Sequence, residues 1–195
     1  GNSYTGEVLK TTDDSYTVAE ISSFQLETVH EFHPVVSAIL NITPDHLNRH
    51  HTMECYAHTK ERIAKNQNKS DVCVLNMEDE ELYRFGKECS ASVVWFSSRR
   101  KPCKGAYLDG NNIRYTDGVT DKIKNFKAVE HRIEYVATKN GVWYYNDSKG
   151  TNPEASVKAI EAMVRPTILI GGGYDKGSEF DMYVKAFGDK VKMLV

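Results

Sequence analysis

Over its first two thirds the chain alternates short apolar, β-branched runs with helix-like stretches, and this constrains the fold more than any other feature. Residues 15–20 (SYTVAE) predict a strand and 22–32 (SSFQLETVHEF) a short amphipathic helix. Residues 35–42 (VVSAILNI) predict a buried strand, and 44–67 a long helical stretch with an irregular start. Then follow a strand at 71–76 (DVCVLN), a helix at 79–89 with Asp79 near its start, and a strand at 92–97 (SVVWFS). Such alternation argues for an α/β fold with a parallel sheet covered on both faces.

The pattern changes after residue 100. Residues 105–118 alternate around Asp109-Gly110-Asn111-Asn112, a hairpin signal. Residues 117–129 are polar and lack apolar periodicity, so a domain boundary is placed near Asn125 to Val129. A second hairpin is expected where 131–138 and 142–147 flank Lys139-Asn140-Gly141, since Asn-Gly is a strong turn dipeptide. Pro153 fits the first turn of a helix with Asn152 as its cap. Residues 166–173 (PTILIGGG) read as a strand entering a glycine loop, 178–190 as a helix, and 191–195 as a strand. No covering helix follows that strand, which reads as a truncated α/β domain.

Composition excludes some classes of function. A net charge of −2 gives no broad basic field for nucleic acid or an anionic membrane. No apolar stretch approaches the roughly 20 residues that span a bilayer, and the N-terminus lacks a signal-peptide core. The four cysteines, Cys55, Cys73, Cys89 and Cys103, form no C-x-x-C pair. They read as reduced thiols of a cytoplasmic protein, with Cys73 in the core.

Two residues stand where strands should end, and a third follows in the helical stretch. Glu20 closes the first apolar run, His46 follows the second within Thr43-Pro44-Asp45-His46, and Lys60 lies 14 residues further on. In open α/β sheets, ligands bind at the carboxyl ends of the strands. Glu20 reads as a divalent-metal ligand or as a carboxylate favoured by a helix N-terminus. His46 reads as a metal or phosphate contact, or as a loop histidine partnered by Asp45. Lys60 reads as a solvated helix lysine unless its amine is held neutral beside a metal. His46 and His50, four apart with His51 and His58 nearby, raise a zinc reading that lacks an obvious third ligand. In the last third, 146–153 (NDSKGTNP) carries Asp147, Ser148, Lys149, Thr151 and Asn152 into a helix start, where backbone N–H groups favour anions. Asp147 suits a ribose hydroxyl pair. Residues 169–180 (LIGGGYDKGSEF) do not satisfy the phosphate-loop pattern G-x-x-x-x-G-K-[ST]. Lys176 there could pair with a substrate carboxylate. Arg132 is a nucleotide contact or a strand-end arginine.

The strings AEISSFQLET, ILNITPDHLNRH, YAHTKERI, EHRIEYV, NDSKGTNP and LIGGGYDKGSEF, in this order, resemble the Mur ligases, most closely the D-glutamate-adding members. The resemblance implies a partial P-loop-type central domain over residues 1–127 and the start of a Rossmann-like C-terminal domain over 128–195. It implies an ATP-dependent amide ligase joining UDP-N-acetylmuramoyl-L-alanine to D-glutamate through an acyl phosphate, with Mg²⁺. Under it Glu20 and His46 serve Mg²⁺ and phosphate, and Lys60 becomes a carbamate, an anion that supports the metal. Arg132 and Asp147 contact ATP, while Lys149 and Thr151 lie near the γ-phosphate and D-glutamate. Lys176 meets the D-glutamate carboxylate, Asn2 contacts the UDP-sugar substrate, and Ser22, Gln25 and Thr151 are substrate-binding residues. The family's GTNGKTT phosphate loop, its UDP-gripping domain and a helical adenine-site stretch expected between Asp117 and Asn125 are missing from this sequence. The chain alone is therefore expected to be inactive and to self-associate through uncovered apolar faces. The competing reading is a non-catalytic remnant that binds Mg²⁺ or nucleotide weakly.

Overall fold

The computed structural model describes residues 3–110, 112–116, 118–119, 132–174 and 180–195. The chain opens with a helical turn, α1 (Tyr4–Val8), which the sequence pattern did not suggest, and a second, α2 (Ser23–Leu26). Strand β1 (Val36–Ile39) leads into α3 (Leu47–His50), α4 (Met53–Glu61) and a 3₁₀ turn at Arg62–Ala64. Then come β2 (Val72–Asn76), α5 (Glu80–Glu88), β3 (Ser92–Ser97), β4 (Gly105–Asp109), β5 (Asn112–Tyr115) and β6 (Gly118–Val119). These six strands form one sheet in sequence order. β1, β2, β3 and β4 run parallel; β5 and β6 return antiparallel. The expected hairpin at 105–118 is therefore present, but its first strand also extends the parallel sheet. Gly105 permits this, because a Cβ there would sit 1.7 Å from the Trp95 carbonyl oxygen.

The strand expected over residues 15–20 does not form. These residues are exposed, Tyr16 and Val18 almost completely, and among the described residues no strand pairs with them. An unpaired strand leaves its backbone groups to water and gains no ladder. The helix expected over 22–32 stops at Leu26. Beyond it, side chains take over the carbonyl groups that helix bonds would have used. Arg62 donates to the carbonyls of Leu26 and Val29, each at 2.8 Å, and Asn66 donates to those of His30 and Phe32 at 2.8 and 2.9 Å. The long helical stretch after β1 breaks at His51, whose φ is 66°.

The core lies between this sheet and its helices, built from Ile39, Ile42, Tyr56, Ala57, Ala64, Cys73, Leu75, Leu82 and Ala91. Cys73 and Leu75 on β2 are wholly buried, as the apolar run predicts. Asp79 caps α5, its carboxylate accepting the Leu82 N–H at 3.0 Å.

The remaining described residues form β7 (Glu134–Lys139), β8 (Val142–Asn146), α6 (Pro153–Ala162), β9 (Thr167–Leu169), α7 (Asp181–Lys185) and β10 (Val191–Leu194). β7 and β8 make the expected hairpin, turning through Asn140 (φ 53°) and Gly141 (φ 79°), as a type I′ turn requires. Asn152 caps α6, accepting the Ala155 N–H at 2.8 Å with Pro153 in the first turn. β9 and β10 pair in parallel, and α7 packs on α6. α7 is shorter than the helix expected over 178–190, of which 178 and 179 lie outside the described residues. The boundary placed near Asn125 to Val129 also lies outside them.

Candidate functional site

The carboxyl ends of β1 and β2 bring together Asp45, His46, Tyr56, Lys60 and Asp79. The loop leaving β1 is fixed by the Ile42 N–H, which donates to Asp79 Oδ2 at 2.7 Å. One carboxylate thus ties the end of β1 to the start of α5. Asp45 accepts the His46 N–H at 2.9 Å and lies 3.5 Å from His46 Nε2. His46 is half-buried in the left-handed region (φ 54°), an uncommon conformation for a residue with a side chain and one found often at functional sites. Its ring meets Phe24 edge-on at 4.8 Å.

Lys60 is half-buried in the last turn of α4, with its ammonium 5.3 Å from the Tyr56 ring centre. Burial lowers its pKa, opposed by the charges of Asp45 and Asp79. The solvated-lysine reading therefore does not describe it. Burial and then the Asp45 charge push the Tyr56 phenol up to about 12, so it stays protonated. Asp45, Tyr56 and Asp79 escaped the sequence reading as site residues. Asp79 was legible only as a helix cap, and its second bond, to Ile42 across 37 residues, leaves no local sequence signal.

Next to this cluster stands α2. Ser22 caps it in a capping box: its hydroxyl accepts the Gln25 N–H at 3.3 Å, and its N–H and hydroxyl each reach Gln25 Oε1 at 2.8 Å. His50 Nε2 lies 3.0 Å from Ser23 Oγ, and both residues are buried. Arg49 grips Glu27 at 2.6 Å, and that hydrogen bond holds the Glu27 carboxyl below its ordinary range.

Glu20 is exposed; its backbone carbonyl accepts the Tyr4 hydroxyl. Among the described residues no group of three or more His, Cys, Asp or Glu side chains is placed to hold a metal ion. A cleft of about 500 Å³ between α4 and α5, lined by Glu54, His58, Glu81 and Arg84, involves none of the expected site residues.

The expected nucleotide residues sit on the later elements. Asp147 accepts the Ile133 N–H at 2.9 Å, and Gly150 follows so closely that a Cβ there would lie 2.5 Å from Asp147 Oδ2. Arg132, Lys149 and Thr151 are exposed, the last two just ahead of the α6 cap. Asn2 and Lys176 lie outside the described residues.

Residues 3–141 match the family model described as the Mur ligase middle domain. A UDP-N-acetylmuramoylalanine–D-glutamate ligase of Lachnospira eligens is 68% identical, covering all of this chain and 52% of that relative. Ligases of the same name from Lachnoclostridium phytofermentans and Clostridioides difficile are 48% and 41% identical with the same coverage. The chain therefore spans about half the length of the curated relatives it matches. The Lachnospira match runs over 234 positions against 195 residues here, so that relative carries a segment inside the matched span that this chain lacks. Among solved structures, the MurF ligase of Thermotoga maritima in complex with ADP superposes with a TM-score of 0.59 at 14% identity, over 84% of this chain and 53% of that one. MurF of Acinetobacter baumannii gives 0.59 at 11% identity, over 88% and 52%. At such identities the likeness shows the fold.

Proposed function

Because the chain belongs to the Mur ligase family, we propose that it is the central part of an ATP-dependent ligase that adds D-glutamate to UDP-N-acetylmuramoyl-L-alanine in peptidoglycan synthesis. The observation that carries this reading is the 68% identity to a ligase of that name along the whole chain. The cluster of Asp45, His46, Lys60 and Asp79 at the ends of two parallel strands supports it, since phosphoryl transfer depends on positioned charge.

In this reading the terminal carboxylate of UDP-N-acetylmuramoyl-L-alanine attacks the γ-phosphorus of ATP, and ADP leaves. The amine of D-glutamate then attacks the acyl phosphate, inorganic phosphate departs and the amide forms. His46, held by Asp45, faces the transferring phosphoryl group. Lys60, half-buried with its pKa lowered by that burial, is the amine read as combining with carbon dioxide to become a carbamate. Ser22 and Gln25 hold the UDP-sugar substrate, together with Asn2. Arg132 and Asp147 bind ATP, Lys149 and Thr151 lie by the γ-phosphate, and Lys176 takes the D-glutamate carboxylate. Mg²⁺ usually keeps several waters and binds through one or two carboxylates plus substrate phosphates. It is therefore read as arriving with ATP, with Glu20 and His46 as donors, to neutralise phosphate charge. Residues 1–127 and 128–195 are the proposed domains. In this reading the protein works in the cytoplasm, where a nucleotide-linked sugar would be met. Separately, the described residues include no helix long and apolar enough to cross a membrane.

The test is ADP release from ATP in the presence of UDP-N-acetylmuramoyl-L-alanine and D-glutamate. Release that requires both acceptors is the expected result for a competent ligase. The chain spans about half its relatives, so release is expected only after the remaining half of a relative is supplied in trans. Failure under both conditions overturns the reading in favour of a non-catalytic remnant.

A further inference from the structure

α2 is four residues long, too short to stand alone in water. It is held from both ends by later parts of the chain. At its C-terminal end Arg62 donates to the carbonyls of Leu26 and Val29. At its N-terminal end His50 Nε2 bonds Ser23 Oγ at 3.0 Å. His50 and Ser23 are 3% and 6% exposed, so water cannot replace that bond if it is lost. The His50 ring also lies near-parallel to Phe24 at 5.8 Å and against Tyr56 at 5.2 Å. Tyr56 is one turn before Lys60 and touches its ammonium. One imidazole therefore joins α2, α3 and α4.

Ser23, His50 and Glu27 resemble a nucleophile, base and carboxylate, but the geometry excludes that use. The Ser23 hydroxyl is buried, and Glu27 Oε1 is 3.6 Å from His50 Nδ1, beyond hydrogen-bond range, with its carboxylate gripped by Arg49.

We infer that His50 is a positioning residue that sets the Ser22–Gln25 capping box against the Asp45–Lys60 cluster. The substrate held by the box is thereby aligned with the groups that handle the phosphoryl transfer; this second half rests on the proposed function. Phe24, between Ser22 and Gln25, contacts both His46 and His50, so a shift of His50 reaches both sides of the site.

The test compares His50→Phe, which keeps a ring without a hydrogen-bonding nitrogen, with His50→Gln, whose amide can reach Ser23 Oγ. Hydrogen exchange is followed at the amides of Gln25, Leu26 and Glu27, whose N–H groups bond within the α2 turn, with and without UDP-N-acetylmuramoyl-L-alanine. His50→Phe is expected to speed exchange about tenfold, the loss of one buried hydrogen bond, and His50→Gln to stay within about threefold of the parent. The ligand should slow these amides in the parent and in His50→Gln, but not in His50→Phe. Equal exchange in all three proteins, or equal acceleration in both variants, overturns the inference. Parent amides that ignore the ligand while the variants still differ overturn the substrate reading and leave the brace standing.

Discussion

The described residues within 3–119 and those within 132–195 solve the same packing problem to different depths. The first region closes a six-stranded sheet over Leu75, Leu82, Cys73, Ile39 and their neighbours. In the second, the buried apolar residues among those described are Val157 and Ile160, while Ile168, Ile170, Met182, Val184, Met193 and Leu194 are exposed. Both regions carry parallel strand pairs joined through helices, so alternation of elements does not by itself make a core. What differs is the number of layers that the described residues supply. The site cluster around Lys60 sits on the well-packed region, and the expected ATP contacts Asp147, Lys149 and Thr151 on the other. Stability and ligand binding should therefore separate by region. The chain has two tryptophans, Trp95 on β3 and Trp143 on β8, and each reports on one region.

The largest effect is expected from Gly105→Ala. Its Cβ would meet the Trp95 backbone at 1.7 Å with φ at +143°, so β3 and β4 must part. A loss of about 4 kcal/mol or more is expected in urea unfolding followed through Trp95. Leu75→Ala empties a wholly buried site. It should cost about 3–4 kcal/mol in the Trp95 transition and leave the Trp143 transition in place. Equal movement of both transitions would break the regional distinction. Gly141→Ala, at φ +79° with open space around it, should cost about 1 kcal/mol, seen through Trp143.

The smallest effect is acid sensitivity, and it sharpens the comparison. The His33 hydrogen bond, with the Asn68 N–H, holds the Asp71 carboxyl below its ordinary 3.8. Burial raises the Glu78 carboxyl, but the Ser97 hydroxyl and the N–H groups of Arg99 and Ser98 lower it on balance below 4.5. Depressed carboxylate pKa values stabilise the fold above the ordinary values, and this stability is lost as pH falls through the folded ones. The Trp95 urea midpoint should therefore fall between pH 6 and pH 3 by more than the Trp143 midpoint does. A larger fall at Trp143 would contradict this.

Much of both regions was legible from local pattern. β2 and β3 match their apolar runs within one residue, and Asp79, Asn140-Gly141 and Asn152-Pro153 do what their types predict. The failures share a cause. Residues 15–20 have strand propensity but no strand beside them, and propensity alone does not supply a ladder. The helix at 22–32 was cut short by Arg62 and Asn66, more than thirty residues away, which no local window registers. The site was half legible for the same reason. His46 was visible at a strand end with Asp45 beside it, and Lys60 as a helix lysine, but their grouping with Asp79 comes from long-range packing.

The most direct test of the account is a titration of Mg²⁺-ATP into the isotopically labelled chain, following the backbone amides of Ile42, His46 and Leu82. These should shift saturably in the parent and stay still in a Lys60→Met variant whose Trp95 transition is unchanged. Shifts confined to other amides, or equal shifts with and without Lys60, would contradict a phosphate-handling site at the ends of β1 and β2.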